Sequence, residues 1–376
     1  MKKALTLLFA FISIQNFGQS HLFEKVSTVL KKDILIEAKN NLNEKPITVT
    51  YFSSERSAGG KHDFFSEGDY WWPDSAHPNG PYIQKDGLTN PDNFTAHRKA
   101  MIRFSKIVAN QTSAFIITGN TLYAKQALKH IRAWFIDTAT MMNPSLLYAQ
   151  AITRKVTGRG VGIIDMIQMI EVAKSIEILE KHHLIKQTDQ LIIHGWFKQY
   201  LNWVTTHPYG IEEREAKNNH GTCWVMQVGA FAHLINDTTL LKFCKDRYLH
   251  LILPNQMAAN GSFPLELKRT KPYGYSLFNL DAIFTIAHIY KITDTSIKKS
   301  IDFIYPYVKD KKSWPYPKDV MYWEEWPIAA PFLLFGYQIF KENNWLATWE
   351  QLNHFPKNEE VIRNLPIRNP LIWLVD

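Results

Sequence analysis

Apolar residues recur at intervals of three and four along most of the chain, the spacing that gathers side chains on one face of an α-helix. That periodicity predicts helices over residues 21–41, 92–118, 120–136, 162–182, 186–205, 219–235, 238–252, 278–292, 296–308, 327–341 and 343–352. Ile47 to Phe52 is the one stretch that reads as a short strand. The expected class is all-α.

Between the helices lie four long connections, residues 53–91, 137–161, 253–277 and 309–326, rich in Gly, Pro, Trp, Tyr and charge. Loops of this length are functional or disordered, and their aromatic content argues against disorder. No Pro/Gly/Ser linker divides the chain, and no fixed-period repeat marks a regular solenoid. The pattern suits a ring of helical hairpins, an (α/α) toroid or incomplete barrel, with elaborate loops over one mouth.

The first residues add a location. Lys2 and Lys3 precede the apolar run Ala4 to Ile14, which passes into Gln15-Asn16 and the small-residue end Phe17-Gly18-Gln19, the layout of a signal peptide. The run is too short to span a bilayer, no later stretch is long enough, and no cysteine near the cleavage site offers a lipid anchor. The expectation is a signal peptide at residues 1–18 and one toroid domain at 19–376. The protein would be periplasmic or secreted, monomeric, and without membrane insertion.

A formal net charge of +8 accompanies 12 Trp, 16 Tyr and 22 Phe. A basic balance attracts polyanions, although a solvated surface alone would also account for it. There is no Lys/Arg block and no nucleic-acid motif, so nucleic acid is not the expected partner. An acidic polysaccharide suits an exported protein: aromatic faces lie against sugar rings while Lys and Arg meet carboxylates. Cys223 and Cys244 sit in apolar helical patterns and read as buried free thiols. No His/Cys spacing suggests a metal, and no cofactor is expected. His62, Asp63, Glu67 and Asp69 match no ligand pattern.

Two segments concentrate chemistry. Lys217-Asn218-Asn219-His220-Gly221 opens a strongly helical stretch. One Asn there would serve as an N-cap. A His in the first turn feels the positive end of the macrodipole, which favours neutral imidazole, the form a general base needs. The second segment, Glu266 to Phe278, packs Lys268, Arg269 and Lys271 against Tyr273 and Tyr275. A nearby guanidinium stabilises phenolate, and Arg also grips carboxylates bidentately; a basic, aromatic surface loop is the plainer alternative.

These residue types fit β-elimination across a bond leaving C4 of a uronic acid. The C5 hydrogen becomes removable once donors neutralise the adjacent carboxylate and stabilise the developing charge. A base then takes the proton and an acid protonates the leaving oxygen.

The Asn219-His220 pair, with Arg269 to Tyr275 followed by Phe278, resembles the alginate lyase family of helical toroids, which includes relatives acting on mannuronan or glucuronan. The resemblance implies Asn219 and His220 beside the substrate carboxylate, Tyr275 as catalytic acid and for some linkages also base, and Arg269 in support. Tyr273 is a rival phenol and a candidate substrate contact.

Further binding candidates lie in the loops. Arg56, Lys61, His62, Tyr70 and Trp71 belong to the glycine-rich 53–91 connection, where the Trp71-Trp72 pair would form a sugar platform or fill core. Arg98 follows His97 in a helix, and Arg159 stands between Gly158 and Gly160. Paired carboxylates among Glu324, Glu325, Asp165 and Glu266 would instead mark a glycoside hydrolase. A non-catalytic uronan-binding protein would need the cations and aromatics alone.

Overall fold

The structure is a computed structural model that describes residues 21–375. The expected signal peptide, residues 1–18, lies outside the described residues.

Fifteen helices carry the described chain. They are α1 (His21–Asn40), α2 (Ala96–Thr118), α3 (Thr121–Phe135), α4 (Ile170–Lys181), α5 (Gln187–Thr206), α6 (Pro208–Arg214), α7 (Asn219–Leu234) and α8 (Thr238–Arg247). There follow α9 (Leu253–Gln256), α10 (Pro264–Leu267), α11 (Pro272–Ile289), α12 (Lys298–Lys309), α13 (Pro331–Phe340), α14 (Asn343–Gln351) and α15 (Glu359–Arg363). A 3-10 stretch, Gly160–Met169, runs straight into α4.

Sequence decides which helices stand inside. α7 and α11 are apolar on nearly every face, and almost every residue in them is buried; such helices have no face to give to water. In α1 the buried residues Leu22, Val26, Leu30, Ile34 and Ala38 form one stripe, as befits an outer helix. Accordingly α2, α4, α7, α11 and α13 pack side by side in chain order. α1 and α3 lie against α2, α8 against α7, α12 against α11 and α13, and α14 against α13. This is the helical toroid. After α14 the chain returns to the first hairpins, where the turn Pro370–Trp373 packs on α1, α2 and α4.

The inner helices share one direction. Val161, Asn219 and Tyr275, from the starts of three inner segments, line one cavity, while Glu177, His233, Ile289 and Gln338, from their far ends, line another of about 470 Å³. The loops gather over the first mouth. Two small sheets brace them: β1 (Phe65–Glu67) pairs in parallel with β4 (Tyr148–Ala151), and β2 (Trp71–Trp72) pairs antiparallel with β3 (Ile83–Gln84).

Two expectations need correction. Ile47 to Phe52 is not a strand: Thr48 Oγ1 accepts the Thr50 N–H at 3.3 Å and turns Val49–Tyr51 into a 3-10 helix. α11 begins at Pro272, not at residue 278. Proline suits a first helical turn, and the Asp319 carboxylate accepts the N–H groups of Tyr273 and Gly274, each at 2.9 Å. Cys223 and Cys244 are buried and unpaired, as expected.

Candidate active site

The start of α7 divides labour between consecutive asparagines. Asn218 caps the helix, its Oδ1 accepting the His220 N–H at 3.3 Å. Asn219 is thereby left for other work. Its Nδ2 donates to Glu266 Oε2 at 2.6 Å and its backbone N–H to Oε1 at 2.7 Å, which fixes the amide plane. His220 Nδ1 meets both oxygens of Glu213, at 2.8 and 3.0 Å, and Nε2 has no partner among the described residues. Burial pushes the Glu213 and Glu266 carboxyls up; the charge and hydrogen bond of His220 draw Glu213 back, and the hydrogen bonds of Asn219 do so for Glu266. Gly221 lets the turn close, since a Cβ there would lie 2.2 Å from the Ala216 carbonyl oxygen.

The first turn of α11 supplies the phenol. Tyr275 Oη lies 2.9 Å from Tyr70 Oη. The Arg269 guanidinium sits 4.4 Å and the Lys271 ammonium 5.1 Å from the centroid of the Tyr275 ring. Burial, and then Tyr70, raise the Tyr275 phenol well above its ordinary value, while Lys271 and Arg269 pull against that rise. Tyr273 points elsewhere. Its ring is fully buried beside Trp314 and Trp323, and its hydroxyl donates to the Tyr307 carbonyl at 3.0 Å. The expectation of Tyr273 as a substrate contact is therefore corrected: two positions earlier on a helix is about 200° around the axis, which turns it into the outer core.

Tyr70, Trp71, Arg159, Asn219, His220, Arg269 and Tyr275 line one cavity of about 290 Å³. Arg159 donates to the carbonyl and side-chain oxygens of Gln150, at 2.9 and 3.0 Å, and together with Lys155 flanks the Trp71 ring. Arg269 is tied across the cleft to Asp86, with bonds of 2.8 and 3.2 Å, and Thr270 joins it at 3.0 Å. Burial raises the Asp86 carboxyl, but the bonds from Arg269 and Thr270 outweigh it and hold it below the usual range.

Four other candidates fall outside this cavity. Arg56 pairs with Glu67 at 2.7 Å, Lys61 is exposed, and His62 Nδ1 lies 2.6 Å from the Met141 carbonyl oxygen, anchoring the loop. Position in a cation-rich loop did not tell which part of the loop faces the ring. Arg98 is buried in ion pairs with Asp69 and Asp165, beneath the cleft rather than on its wall. His62, Asp63, Glu67 and Asp69 spread among separate partners, and no grouping of metal-ligating side chains occurs among the described residues. Glu324 and Glu325 are exposed and away from the cavity, Asp165 is locked in ion pairs, and Glu266 holds Asn219, so these four present no carboxylate pair to the cleft.

Several residues that shape the site carried no sequence signal. Glu213 comes from the unexpected α6; Glu360 and Arg363 come from the unexpected α15. Arg363 reaches Asp69 at 2.8 Å and lines the cavity beside Asn364.

The sequence profile of the alginate lyase family matches residues 48–314. A crystal structure of an alginate lyase from Bacteroides ovatus is similar over 94% of this chain and 97% of that one, with 29% identity and a TM-score of 0.78. Alginate lyase A1-III of Sphingomonas species A1, in a complex with a tetrasaccharide, shares 13% identity over 81% of this chain and 85% of its own, with a TM-score of 0.52, a likeness of fold alone. No curated protein sequence matches. Ring, profile and neighbours together define a polysaccharide lyase of the helical-toroid class. The chain belongs to the alginate lyase family.

Proposed function

We propose that this lyase cleaves a 4-linked uronan by β-elimination, with mannuronate-containing alginate as the substrate and glucuronan as the nearest alternative. The observation that carries the reading is the convergence of Asn219, His220, Arg269 and Tyr275 on one cavity. Asn219, its amide held by Glu266, donates its remaining N–H to the substrate carboxylate, with Arg159 and Arg269 supplying positive charge. A base removes the C5 proton, the electron pair becomes the C4=C5 double bond, and the C4–O4 bond breaks. Tyr275 returns a proton to the leaving oxygen.

The base depends on geometry at C5. Where hydrogen and leaving oxygen lie on opposite faces, as in guluronan, His220 Nε2 takes the proton. Where they share a face, as in mannuronan and glucuronan, Tyr275 reaches both atoms and serves as base and then acid. Arg269 and Lys271 at its ring favour the phenolate this requires. The Lys2-Lys3 start and the apolar run after it support export to the periplasm or medium, where such polymers are met. Among the described residues no helix is long and apolar enough to cross a membrane.

The test is incubation with mannuronate-rich alginate, guluronate-rich alginate, glucuronan and glycosaminoglycans, following the ultraviolet absorbance of the 4,5-unsaturated uronate alongside reducing ends. Both signals rising together on one of the first three is the expected result. Reducing ends without the chromophore would overturn elimination.

A further inference from the structure

The C-terminal segment reaches the cleft although it lies beyond residues 48–314, the span matched by the family profile. Asn358 starts α15 by accepting the Glu360 N–H at 3.0 Å. This first turn carries the Glu360 carboxylate into the protein, where Oε1 lies 3.3 Å from Lys271 Nζ and 3.5 Å from Tyr70 Oη. Arg363, one turn later, donates to Glu360 Oε2 at 3.1 Å.

Lys271 is the informative partner. Its side chain is buried, and Glu360 is its one ion-pair partner among the described residues. The ammonium stands 5.1 Å from the ring centroids of both Tyr70 and Tyr275, and 5.5 Å from that of Tyr322. A lysine on a four-carbon stem holds such a place only if something fixes its head. Glu360 does so, and accepts from Tyr70 at the same oxygen.

Docking of the segment does not depend on that carboxylate. Arg363 also pairs with Asp69 at 2.8 Å, and Gln168 donates to the Arg363 carbonyl at 2.8 Å. Further on, Glu171 accepts the N–H groups of Arg368 and Asn369 at 2.9 and 2.6 Å. A carboxylate buried against an ammonium is costly as a mere fastener, and here other fasteners suffice.

We propose that Glu360 is a positioning residue for the elimination, holding Lys271 against the Tyr275 ring and Tyr70 against the Tyr275 hydroxyl. The inference rests on Tyr275 being the proton-transferring group. When Tyr275 gives its proton to the leaving oxygen, negative charge builds on the phenol oxygen. The fixed ammonium is already in place to stabilise it, and Tyr70, held 2.9 Å away, has only to turn its one hydroxyl hydrogen from Glu360 to the phenolate, so little reorganisation is needed at that moment. The contribution belongs to the transition state and not to substrate binding, which locates it in kcat.

The experiment is steady-state kinetics of the full chain on the uronan that the wild type degrades fastest. Glu360→Gln is expected to lower kcat on the order of tenfold while KM moves by less than about twofold. Lys271→Met should lower kcat at least as far, and the double variant should fall below Lys271→Met by less than the full loss of Glu360→Gln, because the two changes share the Lys271 contact. Glu359→Gln, on the exposed face beside Lys99, is the control and should match wild type. An unchanged kcat in Glu360→Gln, a loss confined to KM, or fully additive losses in the double variant would each overturn the proposal. If Glu360→Gln does not accumulate as folded protein, Glu360→Asp takes its place, with kcat again the parameter expected to fall. A wild type that forms no unsaturated product from any uronan defeats the functional reading itself, a separate outcome.

Discussion

His220 Nδ1 lies 2.8 Å from Glu213 Oε1, and the Glu213 side chain has no solvent exposure. A buried acceptor on Nδ1 keeps the proton there and leaves the lone pair on Nε2, the nitrogen that is free toward the cleft. The pair thus selects one tautomer of the imidazole before substrate arrives. Glu213→Gln can present an N–H to Nδ1 and reverse the tautomer. We expect it to lower kcat on guluronate-rich alginate roughly 10²-fold with little change in KM. Mannuronate-rich alginate should suffer less, since Tyr275 serves as base there. Equal losses on both polymers would sink the division of labour between His220 and Tyr275.

The two phenols of α11 separate chemistry from stability. Tyr275→Phe should abolish unsaturated product while substrate binding, measured by calorimetry, persists. Tyr273→Phe removes the bond to the Tyr307 carbonyl and should cost about 1–2 kcal/mol of stability with turnover kept. A dead Tyr273→Phe beside an active Tyr275→Phe would reverse the assignment.

Asp319 makes the start of α11 sensitive to pH. Burial raises its carboxyl from the ordinary 3.8 to about 6, against the pull of the Gly274 and Tyr273 N–H groups. Between those values the folded state binds a proton that the unfolded state has lost. Asp319 therefore weighs against folding increasingly as pH rises through that window, and the penalty is complete above it. Asp319→Asn does not titrate. Its stability relative to wild type should improve by about 2 kcal/mol from pH ~4 to pH ~7, once partial screening is allowed for. Denaturant midpoints of both proteins at the two pH values measure this, and a constant difference would refute it.

The all-α class and most of the ring were legible because inner helices such as 219–235 are apolar on nearly every face, a signal local to the chain. Asn219 and His220, which line the cavity, stood out in the sequence because they follow a capping residue, a purely local arrangement too. The start of α11 was not. Its cap is Asp319, 45 positions on from Gly274, and Pro272 with Gly274 reads as loop in isolation. Glu213, Glu360 and Arg363 were missed for the same reason: each acts through a partner from another helix, and nothing near it in sequence names that partner. Arg56, Lys61 and His62 show the converse error. A loop's composition announces contact with a polyanion, but only its anchoring, here the His62 bond to Met141, decides which residues turn inward.

The shared direction of the inner helices gives the ring an electrical front and back. Amide hydrogens crowd the entrance where His220 and Tyr275 stand, and carbonyl oxygens crowd the exit near Glu177 and Gln338. Within a turn of the cleft those amide hydrogens favour the carboxylates of a negatively charged polymer, whereas at the far end Lys174 and Lys291 offset the carbonyl oxygens. The ring is thus biased at one mouth alone, the one over which the loops gather.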